Sequence, residues 1–247
     1  MITTAIALLT IIQGPQRDSS NPDKTTAAQI MSKVFSRYAD AQTAVGTVKM
    51  TQTALDVTLN IDTELQFDRP GKIYLHQTRN GTHARQWLLT SNGKVFSYDR
   101  PDEKLGRDRY QEWVNQNGVE QKIGDLYMAS EHSLGELNAI LDVAISQPGR
   151  LKLLMRQWAT LTYKGRVTLN GDLVQKITGE YRENPNGPAN GQFEIYVSEA
   201  GDFLRYVVYQ RFVFPNQTKE PIDVKTVWDS SIKLGVKTDE NLYRVVQ

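Results

Sequence analysis

The chain has 247 residues, 29 Lys+Arg against 28 Asp+Glu, a net charge of +1 and no cysteine. That length suits one large β-rich domain or two small ones, and a balanced charge without blocks of one sign gives no reason to expect nucleic acid or an acidic membrane surface as partner. The missing cysteine excludes disulfides, thiolate metal sites, cysteine nucleophiles and an N-terminal lipid anchor on cysteine.

In chain order, residues 2–12 (ITTAIALLTII) form the long apolar run. It falls short of the roughly 20 residues a membrane-spanning helix needs. Its length fits the core of a signal peptide, although no Lys or Arg precedes it; the alternative is a packed N-terminal helix. We therefore expect 1–13 to be a signal peptide or N-terminal hydrophobic segment and 14–24 (GPQRDSSNPDK) a flexible linker. Residues 25–247 then form a single domain of an exported bacterial protein, periplasmic or otherwise extracytoplasmic, with no transmembrane span in the mature chain.

Thr25 or Thr26 caps a predicted helix to about Asp40, with Ala28, Ile30, Met31, Val34, Phe35 and Tyr38 recurring at helical spacing. Val45 to Leu59 shifts to period two and predicts a long strand bent near Thr53-Ala54. Ile61, Thr63, Leu65 and Phe67 then alternate with Asp62, Glu64, Gln66 and Asp68, which predicts a sheet wet on one side. Arg69-Pro70-Gly71-Lys72 leads into IYLHQT, Asn80-Gly81 into QWLLT, and Ser91-Asn92-Gly93-Lys94 into VFSYD, a meander joined by turn sequences.

Residues 99–124 read as a long loop or short edge pieces. Ser133 to Gln147 predicts a helix capped by Ser133 with Glu136 three residues on, stopped by Pro148-Gly149 and followed by a second short helix over 150–158. The last third returns to strands, with Asn170-Gly171 and Glu199–Asp202 as turns. Asn-Gly pairs at 80, 92, 117, 170, 186 and 190 punctuate the chain. Helix, strands, helix pair, strands, with no βαβ alternation, predicts an α+β fold: a curved antiparallel β-sheet forming an open half-barrel, with helices covering the concave face.

Catalytic spacings are missing: there is no GxSxG, HExxH, P-loop or GxGxxG. His76 and His83 flank a turn and read as surface residues. Asp99, Asp102 and Glu103 alternate with Arg100 and Lys104 as in a solvated loop. The expectation is a non-enzyme with no metal and no cofactor. The strand aromatics, among them Trp87, Phe96, Tyr163, Phe193, Tyr206 and Trp228, either pack a core or line an apolar cavity.

Leu65, Phe67, Arg69 and Pro70 fit a strand of the form G-x-L-x-φ-x-R-P, where φ is apolar or aromatic. Ser91, Asn92, Gly93, Lys94, Phe96 and Tyr98 fit the hairpin that follows it, and Gly46–Thr53 sits where a preceding strand belongs. Together these resemble the LolA-like periplasmic lipoprotein carriers and their outer-membrane lipoprotein-sorting relatives, including the LolA/LolB-like half-barrels. The likeness is specific over this part of the chain and topological over the rest. The extra length lies in 99–130 and 183–192.

The resemblance implies a hollow between sheet and helices that holds acyl chains, with the helices as lid. It implies that Arg69 serves in handing on the cargo and that Ile73 stands at the cavity rim. The reading that Arg69 merely solvates a β corner stays open beside it. The candidate ligand-binding residues are Leu65, Phe67, Arg69, Ile73, Leu75, Trp87, Leu89, Phe96, Tyr163 and Phe193. The expected function is a non-enzymatic exported carrier of lipid or lipidated protein cargo. The alternative is an envelope sensor or protein-interaction module on the same fold, with an envelope protein as partner.

Overall fold

Thr26 opens the first helix: its hydroxyl accepts the Gln29 N–H while the Gln29 side chain accepts the Thr26 N–H. In the computed structural model the described residues are 26–81, 84–99, 113–114, 122–127, 138–145, 148–182, 189–212 and 220–245. Helix α1 (Ala27–Asp40) buries Ala27, Ile30, Met31, Val34 and Tyr38, the stripe its 3.6-residue spacing predicts.

The strands are β1 (Thr43–Ala54), β2 (Val57–Asp68), β3 (Lys72–Asn80), β4 (Arg85–Asn92), β5 (Val95–Asp99), β6 (Trp113–Val114), β7 (Trp158–Leu169), β8 (Asp172–Tyr181), β9 (Ala189–Val197), β10 (Phe203–Phe212), β11 (Ile222–Ser230) and β12 (Lys233–Leu234). They form one sheet in the order β6-β5-β4-β3-β2-β1-β11-β10-β9-β8-β7, with β12 beside β1. The pairings are antiparallel, and among the described residues β6 and β7 do not pair with each other, so the sheet is open. Helices α2 (Ala139–Ile145) and α3 (Pro148–Gln157) come between the two halves of the strand order.

Alternation decides which face is covered. Ile61, Leu65 and Phe67 of β2, Ile73 and Leu75 of β3 and Trp87 and Leu89 of β4 are buried on one face. That face continues through Met50, Trp228, Tyr206, Ile195 and Ile177. All of them join one cluster with α1, with Ile140, Leu141, Val143, Ala144 and Ile145 of α2 and with Leu151 and Leu154 of α3. Each fully buried Leu, Ile or Phe contributes about 1.5–3 kcal/mol, so this face rather than strand propensity holds the helices in place.

The expected strand from Val45 to Leu59 is instead two strands. The chain turns at Leu55-Asp56, and every residue from Thr43 to Ala54 pairs with one from Val57 to Asp68. Leu55 makes this turn at φ +52°, with no glycine or asparagine to announce it. Asn190-Gly191 is not a turn either. It lies inside β9, where the register with β10 shifts between Tyr209 and Arg211, as a β-bulge does. Asn170-Gly171 does turn, at φ +55° and +95°. Asn138 caps α2 by accepting the Ile140 and Leu141 N–H groups at 3.1 Å; the expected cap, Ser133, lies outside the described residues. So do most of 99–124 and the Asn-Gly pairs at 117 and 186.

On the opposite face the C-terminal segment crosses β2–β4. The Gln66 side chain donates to the Asp239 carbonyl and accepts the Asp239 N–H, both at 2.8 Å. Behind Asp239 a 3-10 helix (Glu240–Tyr243) buries Tyr243, and Glu240 accepts from Lys72 Nζ at 2.9 Å. Gln66, read from its alternation as a wet position, is therefore 3% exposed.

Candidate functional site

Antiparallel pairing brings most of the predicted ligand-binding residues onto the helix-covered face. Phe67 stands opposite Ile73, Leu65 opposite Leu75, Leu75 opposite Leu89, and Ser91 carries the row to Phe96. Leu65, Phe67, Ile73, Leu75, Trp87, Leu89 and Phe96 are all buried and share the cluster that holds the helices. Ile73, expected at a rim, sits fully covered between Phe67 and Ser91.

Tyr163 and Phe193 lie in the other half of the same face. Phe193 packs on Trp158, Tyr181 and Tyr206 with ring centroids 5.3, 5.1 and 5.7 Å away, and Tyr206 stacks on Trp228 at 5.5 Å. Tyr163 is half-buried against this wall. The Tyr206 hydroxyl hydrogen-bonds to that of Tyr181 and accepts from Trp158 Nε1 at 3.3 Å. Burial pushes the Tyr181 phenol up to about 12 and that of Tyr206 well above its ordinary value, so both stay neutral. Trp158 and Tyr181 are absent from the predicted set: Tyr181 has the inward parity of Ile177, whereas Trp158 has the opposite parity to Tyr163 and faces Tyr181 because the register shifts between Trp158 and Thr160, which no alternation in the sequence announces.

Arg69 stands at the β2–β3 corner and reaches back under two helices. Its Nε donates to the Ala41 carbonyl at 2.9 Å just past α1. Its Nη2 donates to Ile145 O at 3.0 Å at the end of α2, and lies 3.4 Å from Tyr38 O and Ala144 O. The guanidinium also covers the Phe67 ring at 4.9 Å. Helix C-termini leave carbonyls unpaired and carry partial negative charge, so a planar five-donor cation suits both ends at once. Burial draws the Arg69 guanidinium below its usual value. Arg69 therefore ties the ends of both helices to the sheet corner and does more than solvate a turn.

Polar groups interrupt the apolar face. Thr63 and Gln77 are each 1% exposed; Gln77 Nε2 donates to Thr63 Oγ1 at 3.2 Å. Among the described residues neither Gln77 Oε1 nor the buried Trp228 Nε1 has a partner. Gln52 donates to Thr226 at 3.1 Å on the same face. Among the described residues no three His, Asp or Glu side chains are grouped to hold a metal ion. A separate depression of about 1010 Å³ lies at the far ends of β1 and β8–β11, lined in part by Leu55, Tyr181, Tyr209, Gln210 and Lys225. A smaller one of about 330 Å³ runs over β7–β9 and touches Phe193 among polar residues such as Thr162, Lys164 and Glu194.

No protein-family model matches the chain, and no curated protein matches it. Among solved structures it is similar to the lipoprotein LppX of Mycobacterium tuberculosis, at 10% identity and TM-score 0.41 over 85% of this chain and 95% of that one. It is similar to LprF of Mycobacterium bovis, at 13% identity and TM-score 0.43 over 86% and 94%. It is also similar to a LolA superfamily protein of Nitrosomonas europaea, at 9% identity and TM-score 0.34 over 90% and 99%.

Proposed function

We propose that the chain is an exported, non-enzymatic carrier that takes acyl chains of lipid or lipidated cargo between the sheet and its helices. The observation that carries this reading is Arg69: one side chain from the sheet corner caps the carbonyl ends of α1 and α2, over a face built from Leu65, Phe67, Ile73, Leu75 and Leu89. Hydrogen bonds of this kind are worth about 1.5–3 kcal/mol each and are readily exchanged. Each methylene that moves from water to such a face gains about 0.8 kcal/mol. A few chain carbons thus offset release of the latch, and the helices are the part that moves. Among the described residues no helix is long and apolar enough to cross a membrane. Export rests on the apolar run 2–12.

Native mass spectrometry of the full chain purified from bacteria, before and after delipidation, tests the reading together with uptake of a neutral acylglycerol probe. Co-purifying acyl species and saturable uptake are expected. A clean apo mass with no uptake removes the carrier.

A second reading, an envelope sensor or protein-interaction module, is favoured by the β1–β2 hairpin tip. Leu55 and Val57 there are 72% and 68% exposed beside the larger depression.

A further inference from the structure

Strand β3 presents an ordered series of chemistries on its helix-covered face. Ile73 and Leu75 are apolar and fully buried. Gln77 follows, with an amide oxygen that is unpaired among the described residues. Arg79 comes next, directly opposite Arg85 of β4 in the pairing register. Alternate strand residues lie about 7 Å apart, so grease, acceptor and cation succeed one another over about 14 Å.

Two of these features are costly without a ligand. A buried acceptor with no donor forfeits its hydration. Like charges placed directly opposite in an antiparallel pair repel. Among the described residues neither Arg79 nor Arg85 has a carboxylate partner, although both stand in reach of solvent at the rim. An amide oxygen takes a hydroxyl or amide N–H, and paired guanidinium groups take a phosphate or carboxylate.

We propose that the cargo site holds a single-chain amphiphile with a hydroxyl between its acyl chain and an anionic headgroup, bound by Leu75, Gln77 and the Arg79–Arg85 pair in that order. This rests on the carrier reading above and names its ligand class. The chain lies against Leu75, Leu65 and Leu89. The hydroxyl donates to Gln77 Oε1, and the anion sits between Arg79 and Arg85, which it relieves of their mutual repulsion. Lysophosphatidic acid has this order of groups; a monoacylglycerol lacks the anion, and a 2-deoxy lysophosphatidic acid lacks the hydroxyl.

The test is competition against a fluorescent acylglycerol bound to the full chain, using 1-oleoylglycerol, 1-oleoyl-lysophosphatidic acid and its 2-deoxy analogue. Lysophosphatidic acid should compete about 10-fold or more better than oleoylglycerol, with the deoxy analogue between them. The double variant Arg79→Gln, Arg85→Gln changes rim side chains and keeps the fold. It should bring lysophosphatidic acid down to the level of oleoylglycerol and leave oleoylglycerol itself unchanged. Equal competition by all three lipids in the unaltered chain, or a preference that survives the double variant, overturns the inference and leaves the carrier intact. Failure of every lipid to bind overturns both.

Discussion

Arg69 and Ile145 meet at 3.0 Å, guanidinium to carbonyl, and the same arginine holds Ala41 at 2.9 Å, so one side chain closes the C-terminal ends of two helices. Replacing Arg69 by Ala leaves those carbonyls without donors and should cost about 2–4 kcal/mol in urea denaturation. Lysine should not restore the loss, because a point charge reaches one helix end and not both. Hydrogen exchange over 139–145 should accelerate in both variants more than exchange in β2. Unchanged protection of α2 in Arg69→Ala would remove the latch.

Gly179 of β8 lies against Phe193, and an added Cβ would fall 2.2 Å from Phe193 Cζ and 2.3 Å from the Thr160 carbonyl oxygen. Gly179→Ala must therefore push the Phe193 ring out of the aromatic wall. We expect a loss of about 1–3 kcal/mol and an altered near-ultraviolet spectrum from Trp158 and Tyr206. Gly46→Ala should cost a similar amount, because its Cβ meets backbone on the far side, Ile232 Cα at 2.5 Å and Ser231 O at 2.6 Å, with no side chain that can swing away. Wild-type stability in Gly46→Ala would show that the β11–β12 connection is free to shift.

The inward parity of β2–β5 was legible in the sequence because one face repeats at period two: Leu65, Phe67, Ile73, Leu75 and Leu89 fall where alternation puts them. The corner position of Arg69 was legible from Arg69-Pro70-Gly71-Lys72, but what the side chain holds there was not. Its partners are backbone carbonyls of Tyr38, Ala41 and Ile145, and carbonyls leave no trace in side-chain pattern. The C-terminal cover over Gln66 was hidden for a related reason, since a polar residue at an outward position reads as wet until another segment crosses it. Gln77 and Thr63 passed as ordinary strand residues, because only tertiary burial turns an unpaired amide oxygen into a cost.

Leu55 turns the β1–β2 hairpin at φ +52° while 72% exposed. A branched side chain in the left-handed region costs about 1–2 kcal/mol, and an exposed leucine returns little packing to offset it. Glycine carries an unfolded-state penalty of about 0.5–1 kcal/mol, so Leu55→Gly should come out neutral to about 1 kcal/mol more stable by chemical denaturation. Uptake of an acyl probe should not change, because Leu55 lies at the hairpin tip, away from Leu65 and Leu89. A clear loss of stability would mean that Leu55 packs into the neighbouring depression, and the interaction reading of that tip would then lose its exposed anchor.

Tyr38 accepts the Phe203 N–H at 3.2 Å, and burial pushes its phenol up to about 12 from an ordinary 10.0. Between those values the folded chain keeps a proton that the unfolded chain gives up. The resulting stability is fully present below pH 10 and is lost as pH rises towards 12. Tyr181, raised to about 12 by burial beside Phe193, adds to the same slope. Unfolding free energy should therefore be flat from pH 7 to 9 and fall steeply above 10. Tyr38→Phe should lower stability at pH 8 by about 1–3 kcal/mol, because the Phe203 N–H loses its acceptor, while softening the alkaline fall. Equal alkaline slopes for Tyr38→Phe and the unaltered chain would show that the Tyr38 hydroxyl reaches water, and that α1 does not stay seated on β10 as the Phe203 bond requires.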